Sequence, residues 1–238
     1  MWRQPPTEAD RAAAISAAAG DLVRLYPTEG GVWADAWKIG RREGVPFTGI
    51  EVDMSHYLVD TVEQVLHDVV ERCDPDLLKQ LTVGGIIHSA PLHGSALVEH
   101  WQQRAAHYPD GLRVAVVRAH VQIEGLWRLD AYATRDNPVA GYQVLTAAHE
   151  ELLHVLLGLN RTYYSGFKSL DAVVRDLRIA PENLLERMRA CYPLEKGRSK
   201  TMVSALVEES QDLVEEQLPE IDVDRLREIL RYDRPLWE

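Results

Sequence analysis

The chain is poor in cysteine, has no long apolar run and carries fewer basic than acidic residues. Its two cysteines, Cys73 and Cys191, have neither metal-site nor redox spacing, and point to a reducing cytoplasm. No stretch of about 18 apolar residues occurs, so no membrane-spanning segment is expected. Met1-Trp2-Arg3-Gln4-Pro5-Pro6 lacks the apolar core of a signal peptide. A formal charge of −11 argues against a phosphate-backbone binder, whose footprint is basic, and so disfavours nucleic acid. It still tolerates small anions held at a local basic site, and cationic substrates better still. No internal repeat or low-complexity segment is present. The 238 residues, 46% hydrophobic, suffice for one large domain or two small ones.

The most telling segment is Leu156-Leu157-Gly158-Leu159-Asn160-Arg161-Thr162-Tyr163-Tyr164-Ser165-Gly166-Phe167-Lys168-Ser169-Leu170. An apolar helix delivers an amide, a guanidinium, two phenols and an ammonium in quick succession. Buried unpaired, such groups cost about 1–3 kcal/mol each, so they need partners or a ligand. Lys168 opens the next helix, where the macrodipole disfavours a cation and free backbone N–H groups attract an anion. A structural reading stands beside this one: Tyr163 and Phe167 staple two helices, and Asn160 and Arg161 cap helix carbonyls.

Patterning predicts a mostly helical protein. Thr7-Glu8-Ala9-Asp10 starts a helix carried by alanines to about Tyr26. Residues 27–47 read as loop. Gly49 to Ser55 alternates strictly, with Ile50, Val52 and Met54 on one face and Glu51, Asp53 and Ser55 on the other, the clearest strand of the chain. Asp60 with Glu63 caps a helix containing Val62, Val65, Leu66, Val69 and Val70. Asp74-Pro75 ends it and begins the next. Further helices are expected at about 92–106, 111–134, 138–160, 168–178, 181–191, 199–218 and 222–231. Arg113 to Val117 is ambiguous with strand, because β-branched residues suit both. Leu145, Ala148, Leu152, Val155, Leu156 and Leu159 form the core stripe of the 138–160 helix. The fold class is α+β, mostly α: a mixed N-terminal fragment joined to a helical bundle, with the boundary between Ser55 and Pro91.

Several constellations have both a chemical and a structural reading. Glu51 and Asp53, at i and i+2 on one strand face, could share a metal or a general-base role, or form a solvated sheet edge. His149 and His154 sit five apart rather than the four that a zinc-protease helix requires, and read as solvated or core-edge histidines. Arg113 and His120 fit the loose spacing of HEPN-type ribonucleases, where such a pair stabilises a phosphorane-like state and shuttles a proton. His88 and His93 flank Pro91 in a loop without acidic or cysteine partners at ligand spacing. Trp33 and Trp37 line a pocket or pack as a plug. Glu208, Glu209, Asp212, Glu215 and Glu216 read as the solvated face of a helix, or as an acidic rim for a polycation.

The strand carrying Glu51-Val52-Asp53, a helical domain and then Gly158 to Leu170 together resemble nucleotidyltransferases of the DNA-polymerase-β superfamily with a DUF4037-type helical domain. More distantly they are similar to aminoglycoside adenylyltransferases. The resemblance spans Thr7 to about Tyr192 and is strongest between Leu145 and Arg189. It implies a partial nucleotidyltransferase core with a mixed sheet over residues 1–75 and a helical domain over 76–238. It implies transfer of a nucleoside monophosphate from an NTP, ATP first, to a hydroxyl of a small-molecule or macromolecular acceptor, with Mg²⁺ as cofactor. Asp53 then matches the third metal-site carboxylate, with Glu51 its substitute, and Lys168 the phosphate-contacting lysine. Asn160, Arg161 and Tyr164 shape the nucleotide or acceptor pocket. The family's Gly-Ser and acid-x-acid motif, expected ahead of Asp53, is missing. A truncated, catalytically incomplete chain is therefore one expectation. A non-catalytic helical binding module and a HEPN-like ribonuclease are the alternatives.

Overall fold

The structure is a computed structural model describing residues 2–40, 44, 49–92 and 94–231. It is α+β and mostly α. The chain divides into two compact units, Met1–His67 and Asp68–Glu238. No helix among the described residues is long and apolar enough to cross a membrane.

In the N-terminal unit, helix α1 (Glu8–Ala17) begins with the capping box its sequence predicts: Thr7 accepts from Asp10 N, and the Asp10 carboxylate accepts from Thr7 N. It stops well short of Tyr26. Ala19 takes a positive φ, and a Cβ on Gly20 would lie 2.6 Å from Trp37, so the chain turns sharply there. The next residues form strand β1 (Asp21–Leu25) instead of helix. Part of the expected loop is strand as well: β2 (Val32–Ile39) pairs antiparallel with β1 and with β3 (Ile50–Tyr57). The expected mixed sheet is an antiparallel meander, β1-β2-β3, with one parallel bridge between Trp2 and Leu58. The rest of the predicted loop, residues 41–43 and 45–47, lies outside the described residues. Helix α2 (Val59–Leu66) starts one residue before Asp60 and has no side-chain cap, contrary to the expected Asp60–Glu63 box.

Register decides the sheet's two faces, since residues directly opposite share a face. Glu51 faces Lys38 and Asp53 faces Ala36. On the other face lie Trp33, Asp35 and Trp37 beside His56, Met54 and Val52, and α1 sends Arg11 to Asp35 across it. Trp33 is buried and stacks on His56 at 5.3 Å, which makes it a packing residue. Ile50 and Met54 remain exposed at 68% and 44%, so α1 covers the apolar face only in part.

The second unit opens with a π-helical turn begun at His67 and ending at Glu71. Helices α3 (Leu77–Ile87) and α4 (Ser95–Ala105) follow, α3 capped by Asp76, whose side chain accepts from Lys79 N. Arg113 to Val117 is helical, inside α5 (Asp110–His120). The single helix expected over 111–134 is broken. Gly125 takes a positive φ, and the extended segment from Val121 buries Ile123 and Leu126 before α6 (Arg128–Thr134). Helix α7 (Pro138–Leu159) matches its predicted span, with Asn137 as N-cap and Pro138 in the first turn. Helices α8 (Leu170–Asp176), α9 (Leu184–Ala190), α10 (Arg198–Gln217) and α11 (Asp224–Arg231) complete the unit.

Helix α7 is the centre of the core, packed by α5, α6 and α10. Its expected stripe is there, with Leu145, Leu152, Leu156 and Leu159 fully buried. Burial goes further than a stripe, because every residue from Leu152 to Leu159 is inaccessible. Gly158 lets α5 approach closely: a Cβ there would stand 3.0 Å from Val117 and 3.1 Å from Val116. A helix wrapped on all sides cannot present a polar residue to water, and this positions the site described next.

Candidate functional site

Six residues were singled out from the sequence, and four of them hold protein partners. Glu51 makes an ion pair with Lys38, its register neighbour, at 3.3 Å. Asn160 is fully engaged with backbone. Its Oδ1 accepts from Arg178 N (2.8 Å) and Ile179 N (2.9 Å). Its Nδ2 donates to Leu156 O and Ile179 O, both at 2.8 Å. It thus ties the end of α7 to the chain following α8. Arg161, at positive φ, pairs with Asp110 at 2.6 Å and holds that carboxyl below its usual range. Tyr164 packs its ring on His154 and Phe167, both 5.1 Å away, while its backbone N–H reaches Gln80 at 3.4 Å. The side chains of Asp53 and Lys168 are exposed and make no hydrogen bond or ion pair among the described residues. They belong to different units.

Other constellations resolve into local contacts. Arg113 and His120 stand two helical turns apart, about 10 Å along the axis. Arg113 donates to Gln217, whereas His120 bonds Glu151. The acids of α10 are largely paired with arginine: Glu209 with Arg187, Asp212 and Glu215 with Arg227, and Glu208 with Arg231. His93 lies outside the described residues, and His88 caps the end of α3.

The most unusual chemistry in the helical unit comes from residues that spacing alone set aside. His149 and His154 are not solvated; they are 3% and 6% exposed. They point apart, as five-residue spacing dictates. His149 lies against Tyr192, its Nδ1 3.4 Å from the phenol oxygen. His154 faces α5, where the His120 ring centroid is 4.6 Å away. Glu151, three residues before His154 and so on the same helix face, accepts from His120 Nδ1 at 2.7 Å. One nitrogen of each of the two histidines and one Glu151 oxygen lie within 4.8 Å of one another.

Among the described residues neither ring nitrogen of His154 has a hydrogen-bond partner, and His149 Nε2 has none either. Burial pushes both imidazoles down to about 4, with the neighbouring His120 adding to the effect at His154. Both are therefore neutral near pH 7. Tyr164 and Phe167 form the aromatic wall of the cluster, so the segment after α7 does meet chemistry, though through His154. The signal for it was Glu151-x-x-His154, an i, i+3 pair that bundle metal sites use. His120 is distant in sequence, and the spacing that marks it pairs it with Arg113 rather than with Glu151 or His154.

Comparison of the chain with family models, with curated proteins and with solved structures finds no match.

Proposed function

We propose that this protein binds a nucleoside triphosphate, ATP first, in the manner of the nucleotidyltransferases its sequence resembles. One observation carries the reading: of the six residues singled out from the sequence, Asp53 and Lys168 alone keep side chains without hydrogen-bond, ion-pair or ring partners among the described residues. They are also the two to which the resemblance gives ionic roles, a metal carboxylate and a phosphate contact. An exposed carboxylate and an exposed ammonium without ion pairs are available to a charged ligand at no cost in broken contacts.

The residues at hand support binding better than transfer of a nucleoside monophosphate to a hydroxyl acceptor. Such transfer through two Mg²⁺ ions takes several carboxylates. On the face carrying Asp53 the other acid of β3, Glu51, is already paired with Lys38. Asp35 lies on the opposite face and is held by Arg11. Asp53 by itself falls short of that ligand set.

Calorimetry with ATP, in chelator and in Mg²⁺, tests the proposal on the full chain. ATP should bind in both conditions. Lys168→Ala should weaken binding about tenfold, the worth of one charge-assisted contact, while leaving the thermal midpoint unchanged. Asp53→Asn should remove only the gain that Mg²⁺ brings. Absence of ATP binding, or a Lys168→Ala variant that binds like the original, overturns the reading.

A further inference from the structure

His154 is the one ionisable side chain in the fully buried run from Leu152 to Leu159. A buried polar atom without a partner costs about 1–3 kcal/mol, and His154 has two. Leucine would serve packing there without that cost. The imidazole is instead surrounded by groups that carry lone pairs. The His120 ring lies 4.6 Å away, and beyond it stands the Glu151 carboxylate. Tyr164 and Phe167 close the remaining sides with ring contacts.

We propose that His120, Glu151 and His154 form a binding site for one divalent transition-metal ion of the zinc class. Two imidazoles and a carboxylate make an N,N,O donor set, which suits Zn²⁺ and its first-row neighbours, whereas Mg²⁺ and Ca²⁺ favour oxygen throughout. The site is thus distinct from any Mg²⁺ brought with a nucleotide. Helix geometry builds two of the ligands: Glu151 and His154, at i and i+3, share the face of α7 that meets α5. His120 comes from the last turn of α5. Neutral imidazole is the form that donates to a metal.

Distances are compatible with closure around an ion. Metal–ligand bonds of about 2.0–2.2 Å in a tetrahedron set neighbouring ligand atoms about 3.3 Å apart. The three atoms here lie within 4.8 Å, and the His120–Glu151 pair stands closer, at 2.7 Å. Adjustment of about 1 Å falls to Glu151, whose side chain is 41% exposed and free to turn. A cleft of about 310 Å³ runs beside Glu151, lined also by Gln122, Arg128, Tyr132 and Gln143, and opens this ligand of the three to solvent. Three protein ligands leave a fourth position for water.

The test uses the full chain, stripped with chelator and titrated with Zn²⁺ by calorimetry and with Co²⁺ by visible absorption. One equivalent should bind, and Co²⁺ should develop the d–d spectrum of a site with nitrogen and oxygen ligands. Glu151→Gln and His120→Gln should each weaken Zn²⁺ binding at least tenfold, and His154→Gln should abolish it. His100→Gln, at an exposed histidine of α4, should leave it unchanged. Because His154→Gln alters the core, Glu151→Gln decides the matter if that variant fails to fold. Binding of less than one equivalent overturns the proposal. So do Glu151→Gln and His120→Gln variants that bind like the original, or Mg²⁺ affinity equal to that for Zn²⁺. None of these readouts involves ATP, so they stand whatever the outcome of the nucleotide experiment.

Discussion

Asp35→Asn should be among the most damaging single substitutions in the N-terminal unit. Asp35 is 3% exposed on β2, and its Oδ1 accepts from Arg11 Nη1 at 2.6 Å. Arg11, itself 6% exposed, gives that same nitrogen to Tyr26 O at 3.1 Å; its other acidic neighbour, Glu8, is 3.9 Å away and largely solvated. Asparagine would therefore leave a buried guanidinium with only the distant, solvated Glu8 as counter-charge, a loss of about 3–5 kcal/mol. Small domains hold about 0.05–0.15 kcal/mol per residue, so this is a large share of the unit's stability. At about 1.4 kcal/mol per tenfold, amides of β2 and β3 should exchange with solvent at least a hundredfold faster, up to the limit set by global unfolding. Hydrogen-exchange mass spectrometry reads those peptides separately from the helical unit. The control is Arg11→Met with Asp35→Leu, which removes both charges and keeps the volume. It should restore protection to within about 1 kcal/mol of the original, because a buried pair replaced whole by apolar groups is close to neutral. Less than fivefold acceleration in Asp35→Asn, or a double variant as damaged as the single, refutes the reasoning.

Two further outcomes concern the helical unit. His149 and His154 have folded pKa values lowered to about 4 from 6.5, so the unfolded chain takes up protons first as pH falls. Stability is complete above pH 6.5 and should be lost on the way to pH 4, by up to about 1.4 kcal/mol per pH unit for each histidine. Thermal melts in chelator between pH 7.5 and 4.5 should show this decline, and a flat profile would contradict it. Asn160→Ala strips partners from two N–H groups and two carbonyls, and should cost about 2–3 kcal/mol with faster exchange at Arg178 and Ile179. Reduced ATP affinity with unchanged exchange would instead make Asn160 a ligand contact.

The elements legible in the sequence are those whose period is set by one partner surface. Strand β3 alternates because Val52 and His56 share the face on which Trp33 and Asp35 are buried, while Glu51, Asp53 and Ser55 lie on the other. Helix α7 carries leucines at helical spacing because it packs on several neighbours at once. Strand β2 hid because its inward set is Trp33, Asp35 and Trp37, and a buried aspartate breaks the apolar alternation. That aspartate is tolerable only because Arg11, on another element, neutralises it. Helix α1 was overextended because its alanines favour helix locally, while Gly20 and pairing with β2 decide the outcome. The same limit applies at Asn160. Its partners Arg178 and Ile179 lie beyond α8, so no local pattern separates a structural clasp from a ligand-binding amide.

Two buried polar clusters show why burial alone does not reveal a role. In the first, every charge is answered: Asp35 has Arg11 on one side and His56 Nε2 3.1 Å away on the other, while His56 Nδ1 accepts from Trp2. Its charges are paired, although Arg11 Nε, His56 Nε2 and Trp33 Nε1 find no hydrogen bond among the described residues, and its role is to fasten α1 to the sheet. The second is unbalanced. Glu151 has His120 as its one partner among the described residues, and its side chain, 41% exposed, offers its remaining lone pairs to water or to a ligand. His154 adds a ring whose two nitrogens have no hydrogen-bond partner among the described residues. No lysine or arginine side chain of the described residues forms an ion pair with Glu151. One buried imidazole, one half-buried imidazole and a partly exposed carboxylate thus gather electron-pair donors without a matching cation, the arrangement that one divalent ion would complete.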